Sequence, residues 1–163
     1  IYTLSLHDAL PIWSADILIS ANVFLEDISD GRYHLTLADD PMQKHNRGLS
    51  IEVYDDFTGK ARTADSLSGG ETFMAALSMA LGLSDMVQSE SGGIRLDTLF
   101  IDEGFATLDA DALDKAMDCL SRLQRNGRTV GIISHVRELL EVVDDKILVE
   151  KTEAGSYIRV LPA

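Results

Sequence analysis

The chain has 163 residues, with 27 acidic against 14 basic side chains (formal net charge −13), 45% hydrophobic residues and one cysteine. That length holds one domain with a sizeable core, and the composition excludes disorder, a disulfide framework and a cysteine-built zinc cage while fitting a reducing, cytoplasmic setting. Its apolar stretches, such as residues 73–83, are too short to span a membrane, and the acidic balance argues against this piece alone gripping nucleic acid, which needs a basic face.

Residues 1–13 show no sustained period, and Pro11 is expected to interrupt any helix there. They lack a basic n-region and a cleavage site, so they read as a junction rather than a signal peptide, and the start at Ile1 predicts a piece of a longer protein. Over residues 14–29, Ile17, Ala21, Phe24, Leu25 and Ile28 recur at helical steps, and Gly31 stops the helix. Residues 32–38 alternate as a strand, a polar loop spans residues 39–48, and residues 49–54 alternate again before a turn at residues 55–60.

The rhythm then changes. Residues 73–83 are apolar nearly all round, predicting a helix buried on more than one side, with a Ser/Gly loop at residues 89–93 after it. Residues 98–101 form an apolar strand that ends in two acids. Residues 109–123 are amphipathic, with Leu113, Ala116, Met117, Leu120 and Leu123 on the core side. Residues 128–133 read as a buried strand, residues 136–143 as a short helix, and residues 146–150 with 157–160 as a closing antiparallel pair. Strands alternating with helices predict an α/β fold with a mainly parallel sheet flanked by helices and a small antiparallel part.

Four features carry chemistry. Leu67-Ser68-Gly69-Gly70-Glu71 opens the apolar helix. Two glycines, a hydroxyl and a helix N-terminus suit an anion such as phosphate; equally, Ser68 and Glu71 have the spacing of a capping box. Asp102 and Glu103 end a strand at a sheet's carboxyl edge, where one acid can order Mg²⁺ and the other can face an attacking water; the plainer reading is two solvated acids opening a loop. Asp109 reads as the N-cap of the following helix. His135 follows a strand at the same kind of edge, where a lone histidine is otherwise structural. Lys44, His45, Arg47, Lys60 and Arg62 make a modestly basic stretch that reads as a solvated face.

The order of these features resembles the ABC-type ATPases: Leu67-Ser68-Gly69-Gly70-Glu71 resembles the signature, Thr98 to Glu103 a Walker B strand, Leu108-Asp109 a D-loop and His135 the switch histidine. Transporters of that class typically carry Gln after the signature glycines and Pro after the acidic pair, whereas this chain has Glu71 and Gly104-Phe105. The run from Phe100 to Asp109 (FIDEGFATLD), Ile132-Ile133-Ser134-His135-Val136 and Ile28-Ser29-Asp30-Gly31-Arg32-Tyr33 are similar to the SbcC exonuclease subunits. No G-x-x-x-x-G-K-[ST] loop occurs; in that family it lies in an N-terminal lobe beyond a long coiled coil.

The resemblance therefore implies residues 14–30 as the end of a returning coiled-coil helix and residues 31–163 as the C-terminal lobe of an ABC-type ATPase head. It implies Ser68, Gly69 and Gly70 contacting the γ-phosphate of ATP held by an opposite protomer, and Asp109 crossing the dimer interface. Asp102 would organise Mg²⁺, Glu103 would position the attacking water, and His135 would bond the γ-phosphate. The partners implied are a Walker A lobe, a second head, an SbcD-type nuclease and double-stranded DNA through the assembled complex. A chromosome-organising or transporter ATPase lobe, and a fragment without catalysis, are the alternatives.

Overall fold

Helix α1 (Leu6–Ser29) buries Leu18, Ala21, Leu25 and Ile28, spaced to fall on one face, in a computed structural model that describes residues 6–38, 51–90, 96–153 and 155–162. The stop is a C-cap. Asp30 (φ 52°) and Gly31 (φ 72°) turn left-handed, and the Gly31 N–H reaches back to the Glu26 carbonyl at 2.7 Å. The expected break at Pro11 is corrected, because the helix begins at Leu6 and passes through it. Extending a helix already nucleated by packed residues is cheap, so one missing N–H near its start is tolerated.

Strands β1 (Tyr33–Leu37), β2 (Ile51–Asp55) and β3 (Lys60–Thr63) form an antiparallel sheet, with Tyr33 opposite Asp55 and Leu37 opposite Ile51. The polar loop and its basic residues Lys44, His45 and Arg47 lie outside the described residues. A tight turn with Gly59 at φ 66° joins β2 to β3. Helix α2 (Gly69–Glu90) is twice the length expected and runs on through Gly82. Gly82 lies against Ala21 of α1, where a Cβ would stand 2.5 Å from the Ala21 backbone nitrogen, so the two helices meet backbone to backbone. Burial on more than one side is present, with one exposed stripe. Met74, Leu77, Ser78 and Leu81 are buried and Phe73, Ala75 and Met79 also pack against the core, while Ala76, Ala80 and Leu83 are exposed.

Strands β4 (Thr98–Asp102) and β5 (Thr129–Ile133) pair in parallel, with α3 (Ala110–Arg125) between them in sequence. All five core residues expected on α3 are buried, and Cys119 joins them. Burial pushes the Cys119 thiol up to about 11, which leaves it protonated and unreactive. A short helix α4 (Leu139–Val142) and the antiparallel hairpin β6 (Lys146–Thr152) and β7 (Gly155–Leu161) complete the chain. The α/β class, with a parallel sheet, flanking helices and small antiparallel sheets, is therefore present.

Among the described residues, two sheet faces stay uncovered. Leu99, Ile101, Val130 and Ile132 pack on the core, yet on the other face Phe100 is 71% and Ile133 55% exposed, so β5 is not the buried strand its composition suggests. On the hairpin, Ile147 pairs with Val160 and Val149 with Ile158, and all four are between 66% and 70% exposed.

Candidate active site

Because β4 and β5 run parallel, both end at one sheet edge. Asp102 sits opposite Ile133, and the Glu103 N–H continues the ladder to the Ile133 carbonyl at 2.9 Å. The chain then turns sharply. Glu103 has φ 62° and Gly104 φ 97°, so a non-glycine residue occupies the left-handed region at the expected catalytic position. That turn aims Glu103 at His135, whose Nδ1 lies 2.9 Å from Oε2. Both groups remain open to solvent, at 50% and 74% exposure.

Asp102 falls on the same strand face as Phe100 and is exposed. No group of three or more His, Cys, Asp or Glu among the described residues could hold a metal ion. One open carboxylate fits an ion that keeps several waters and takes its other ligands from phosphates, as Mg²⁺ does.

Downstream, Phe105 is fully buried and its ring meets Phe73 of α2 at 4.8 Å. A Cβ on Gly104 would stand 2.2 Å from the Phe73 ring. The acidic turn is thus clamped to the helix that carries the glycine motif. The motif itself lies against Thr107: a Cβ on Gly70 would come 2.9 Å from the Thr107 carbonyl oxygen, and one on Gly69 3.1 Å from its methyl. Here the glycines let two loops of one chain approach each other. Asp109 is the N-cap of α3, accepting the Ala112 N–H at 2.8 Å, as its sequence context predicts.

Ser68 and Glu71 form the capping box. The Ser68 N–H donates to Glu71 Oε2 at 2.8 Å, and the Glu71 N–H donates to Ser68 Oγ at 3.3 Å. Glu71 has two further partners that sequence reasoning missed. The Tyr33 hydroxyl donates to Oε1 at 2.8 Å, and Arg62 Nη2 lies 2.5 Å from the same oxygen. Strand alternation puts Tyr33 on the inner face, but nothing in the sequence says where its hydroxyl ends. A cavity of about 440 Å³ opens beside this cluster, lined by residues that include Arg32, Ser68, Gly70, Asp109 and Lys115.

Burial alone would raise the Glu71 carboxyl. The Ser68 N–H, Arg62 and Tyr33 outweigh it and hold the group down at about 2. Pairing with Arg32 likewise lowers Asp55 against the cost of its burial. Both groups have folded values below their unfolded ones, so their contribution is complete above about pH 4.5 and is lost as pH falls toward 2. Urea unfolding of the chain at pH 7, 5, 4 and 3 is expected to give a flat midpoint down to pH 5 and a steep decline below it, with a shallower decline in Glu71→Gln.

The structure thus gathers the expected site residues into two groups: Asp102, Glu103 and His135 at the sheet edge, and Ser68, Gly69, Gly70 and Asp109 around the Thr107 turn. Residues 42–122 match the family described as SbcC/RAD50-like, Walker B motif. The chain is 50% identical over 144 residues to the SbcC subunit of nuclease SbcCD from Treponema pallidum, covering 88% of this chain and 14% of that protein. It is 50% identical over 159 residues to the same subunit from Vibrio cholerae, covering 96% of this chain and 16% of that protein. The chain belongs to the SbcC family. It spans about one-seventh of the length of these SbcC relatives. Among solved structures, an SMC ATPase described for ATP-driven dimerization and DNA-stimulated activation superposes with a TM-score of 0.70 at 17% identity, over 95% of this chain and 88% of that one. A Smc head bound to the C-winged helix domain of ScpA gives 0.67 at 19%, over 91% and 43%. At these identities the likeness establishes the fold alone, that of the Smc head. No helix among the described residues is long and apolar enough to cross a membrane.

Proposed function

We propose that this chain is the C-terminal half of an SbcC-like ATPase head, with residues 14–30 as the end of the returning coiled-coil helix and residues 31–163 as the lobe. The observation that carries the reading is the sheet edge where Asp102, Glu103 and His135 meet, tied through Phe105 and Thr107 to the glycine motif. Asp102 would hold Mg²⁺ through its waters, and the bound ion would neutralise charge on the phosphoryl group being transferred. Glu103, exposed and fixed by its backbone, would orient a water and accept its proton at a carboxylate oxygen. His135, seated 2.9 Å from that carboxylate, would donate a hydrogen bond to the γ-phosphate of ATP. Ser68, Gly69 and Gly70 would meet the γ-phosphate of ATP on a second head through the hydroxyl and the positive end of α2, and Asp109 would lie at that interface. Catalysis is then positioning and electrostatics, without a covalent intermediate.

The remaining nucleotide contacts belong to a Walker A lobe, so the isolated chain is expected to be inactive. Relatives named as parts of the SbcCD nuclease support an SbcD-type nuclease partner and action on double-stranded DNA through the assembled complex. The single buried, protonated cysteine suits the cytoplasm. The exposed Phe100 and Ile133 face and the hairpin quartet are where the Walker A lobe would dock. Sedimentation of the chain mixed with that lobe is expected to give a stable complex. Phe100→Asp should weaken it by at least about tenfold, because a carboxylate would be buried unpaired. Two folded lobes that never associate would overturn the reading.

A further inference from the structure

The signature's last residue is a glutamate, and a capping box would be served equally by glutamine. What the carboxylate adds lies inside the chain. Its Oε1 takes the Tyr33 O–H from the first strand and the Arg62 guanidinium from the third, while its Oε2 takes the Ser68 N–H. Arg62 Nη2 lies 2.5 Å from Glu71 Oε1 and, among the described residues, its Nε is buried without a hydrogen-bond partner, so the Glu71 carboxylate is what pairs that guanidinium. Tyr33 is itself fixed at its backbone. Its N–H donates to Ser29 Oγ at 3.2 Å, and Ser29 Oγ–H donates to the Leu25 carbonyl at 2.6 Å in the last turns of α1. A continuous line of contacts therefore runs from α1 through Tyr33 and Glu71 to the amide of Ser68.

We propose that Tyr33 and Arg62 are positioning residues for the signature loop, acting through the Glu71 carboxylate to set where Ser68 is presented to nucleotide on the opposite head. This rests on the ATPase-head reading above. The antiparallel sheet then supplies the fixed frame for the signature, and α1 enters that frame at Tyr33. Glutamine at residue 71 would keep the cap but lose the charge that Arg62 requires. Phenylalanine at residue 33 would keep the ring packing and lose only the hydrogen bond to a carboxylate.

The test uses the head assembled from this chain and its Walker A lobe, with Tyr33→Phe, Glu71→Gln and the double variant. Two quantities are read: hydrogen exchange at the Ser68 amide, and head–head association driven by ATP. Tyr33→Phe is expected to speed Ser68 exchange and to weaken ATP-driven association by about tenfold each, the size of one lost hydrogen bond to a charged group. Its thermal midpoint should fall only by the few degrees that one lost hydrogen bond costs, with the head still folded at the assay temperature, which separates positioning from general unfolding. The double variant should be no worse than the weaker single one, because both cut the same line. Unchanged exchange and association in both single variants, or fully additive losses in the double, would overturn the proposal. An unmodified head that fails to associate with ATP would instead sink the ATPase-head reading, and Ser68 exchange would still decide whether Tyr33 and Arg62 hold the loop.

Discussion

Replacing Glu103 with glutamine in a head completed by a Walker A lobe is expected to lower ATP turnover by about 10²–10³-fold, the usual scale for losing a general base. The variant should fold as the parent does. Glutamine has the same shape, and the hydrogen bond that holds this position is the backbone N–H to the Ile133 carbonyl, which the substitution does not touch. The left-handed φ of 62° is no worse for glutamine than for glutamate. What changes is the atom facing His135, which in the proposed role would also take a proton from the attacking water, and an amide cannot do so at neutral pH. The backbone strain is informative in itself. A non-glycine residue in this region costs on the order of 1–2 kcal/mol, and it persists because Gly104, Phe105 and Phe73 lock the turn around it. Stopped-flow or steady-state phosphate release, with unfolding curves for both proteins, checks the separation of activity from stability.

The second large effect is on stability. Arg32 pairs with Asp55 through two hydrogen bonds, Nε to Oδ1 at 3.2 Å and Nη2 to Oδ2 at 3.1 Å, and the Asp55 side chain is 2% exposed. The guanidinium also stacks over the Tyr33 and Phe57 rings, at 4.8 and 5.0 Å from their centroids. Arg32→Met would leave Asp55 as a buried charge with the Phe57 N–H for support, and is expected to cost about 3 kcal/mol. That is a large share of a small domain's stability. Adding Asp55→Asn should recover part of the loss, since the uncompensated charge is then gone. Urea unfolding at pH 7 measures both. A single variant within about 0.5 kcal/mol of the parent would show that this lock carries little.

The elements most legible in the sequence were those whose pattern is local. The amphipathic face of α3 can be read residue by residue, because one helix stripe packs against one core. On α1 the stripe was right, although Leu18 is buried and Ile17 is only partly so. The Asp109 cap, the Ser68–Glu71 box and the shared edge of β4 and β5 also follow from spacing. Long-range terms were not legible. The run of α1 through Pro11 depends on helix already packed further along, and the close approach of Gly82 to Ala21 joins α2 to a helix far away in sequence. The uncovered faces of β4–β5 and the hairpin could not be foreseen either, since an apolar strand looks the same whether or not its cover lies in the same chain. Tyr33 and Arg62 converge on Glu71 from strands far away in sequence, which no local period encodes.

The most direct measurement is ATP turnover by this chain, by a matching Walker A lobe, and by the two mixed. Neither lobe alone should release phosphate, the mixture should do so in a saturable way, and Glu103→Gln should abolish the gain. A mixture that forms a folded complex yet hydrolyses no more ATP than its parts would contradict the assignment of this chain as half of an ATPase head.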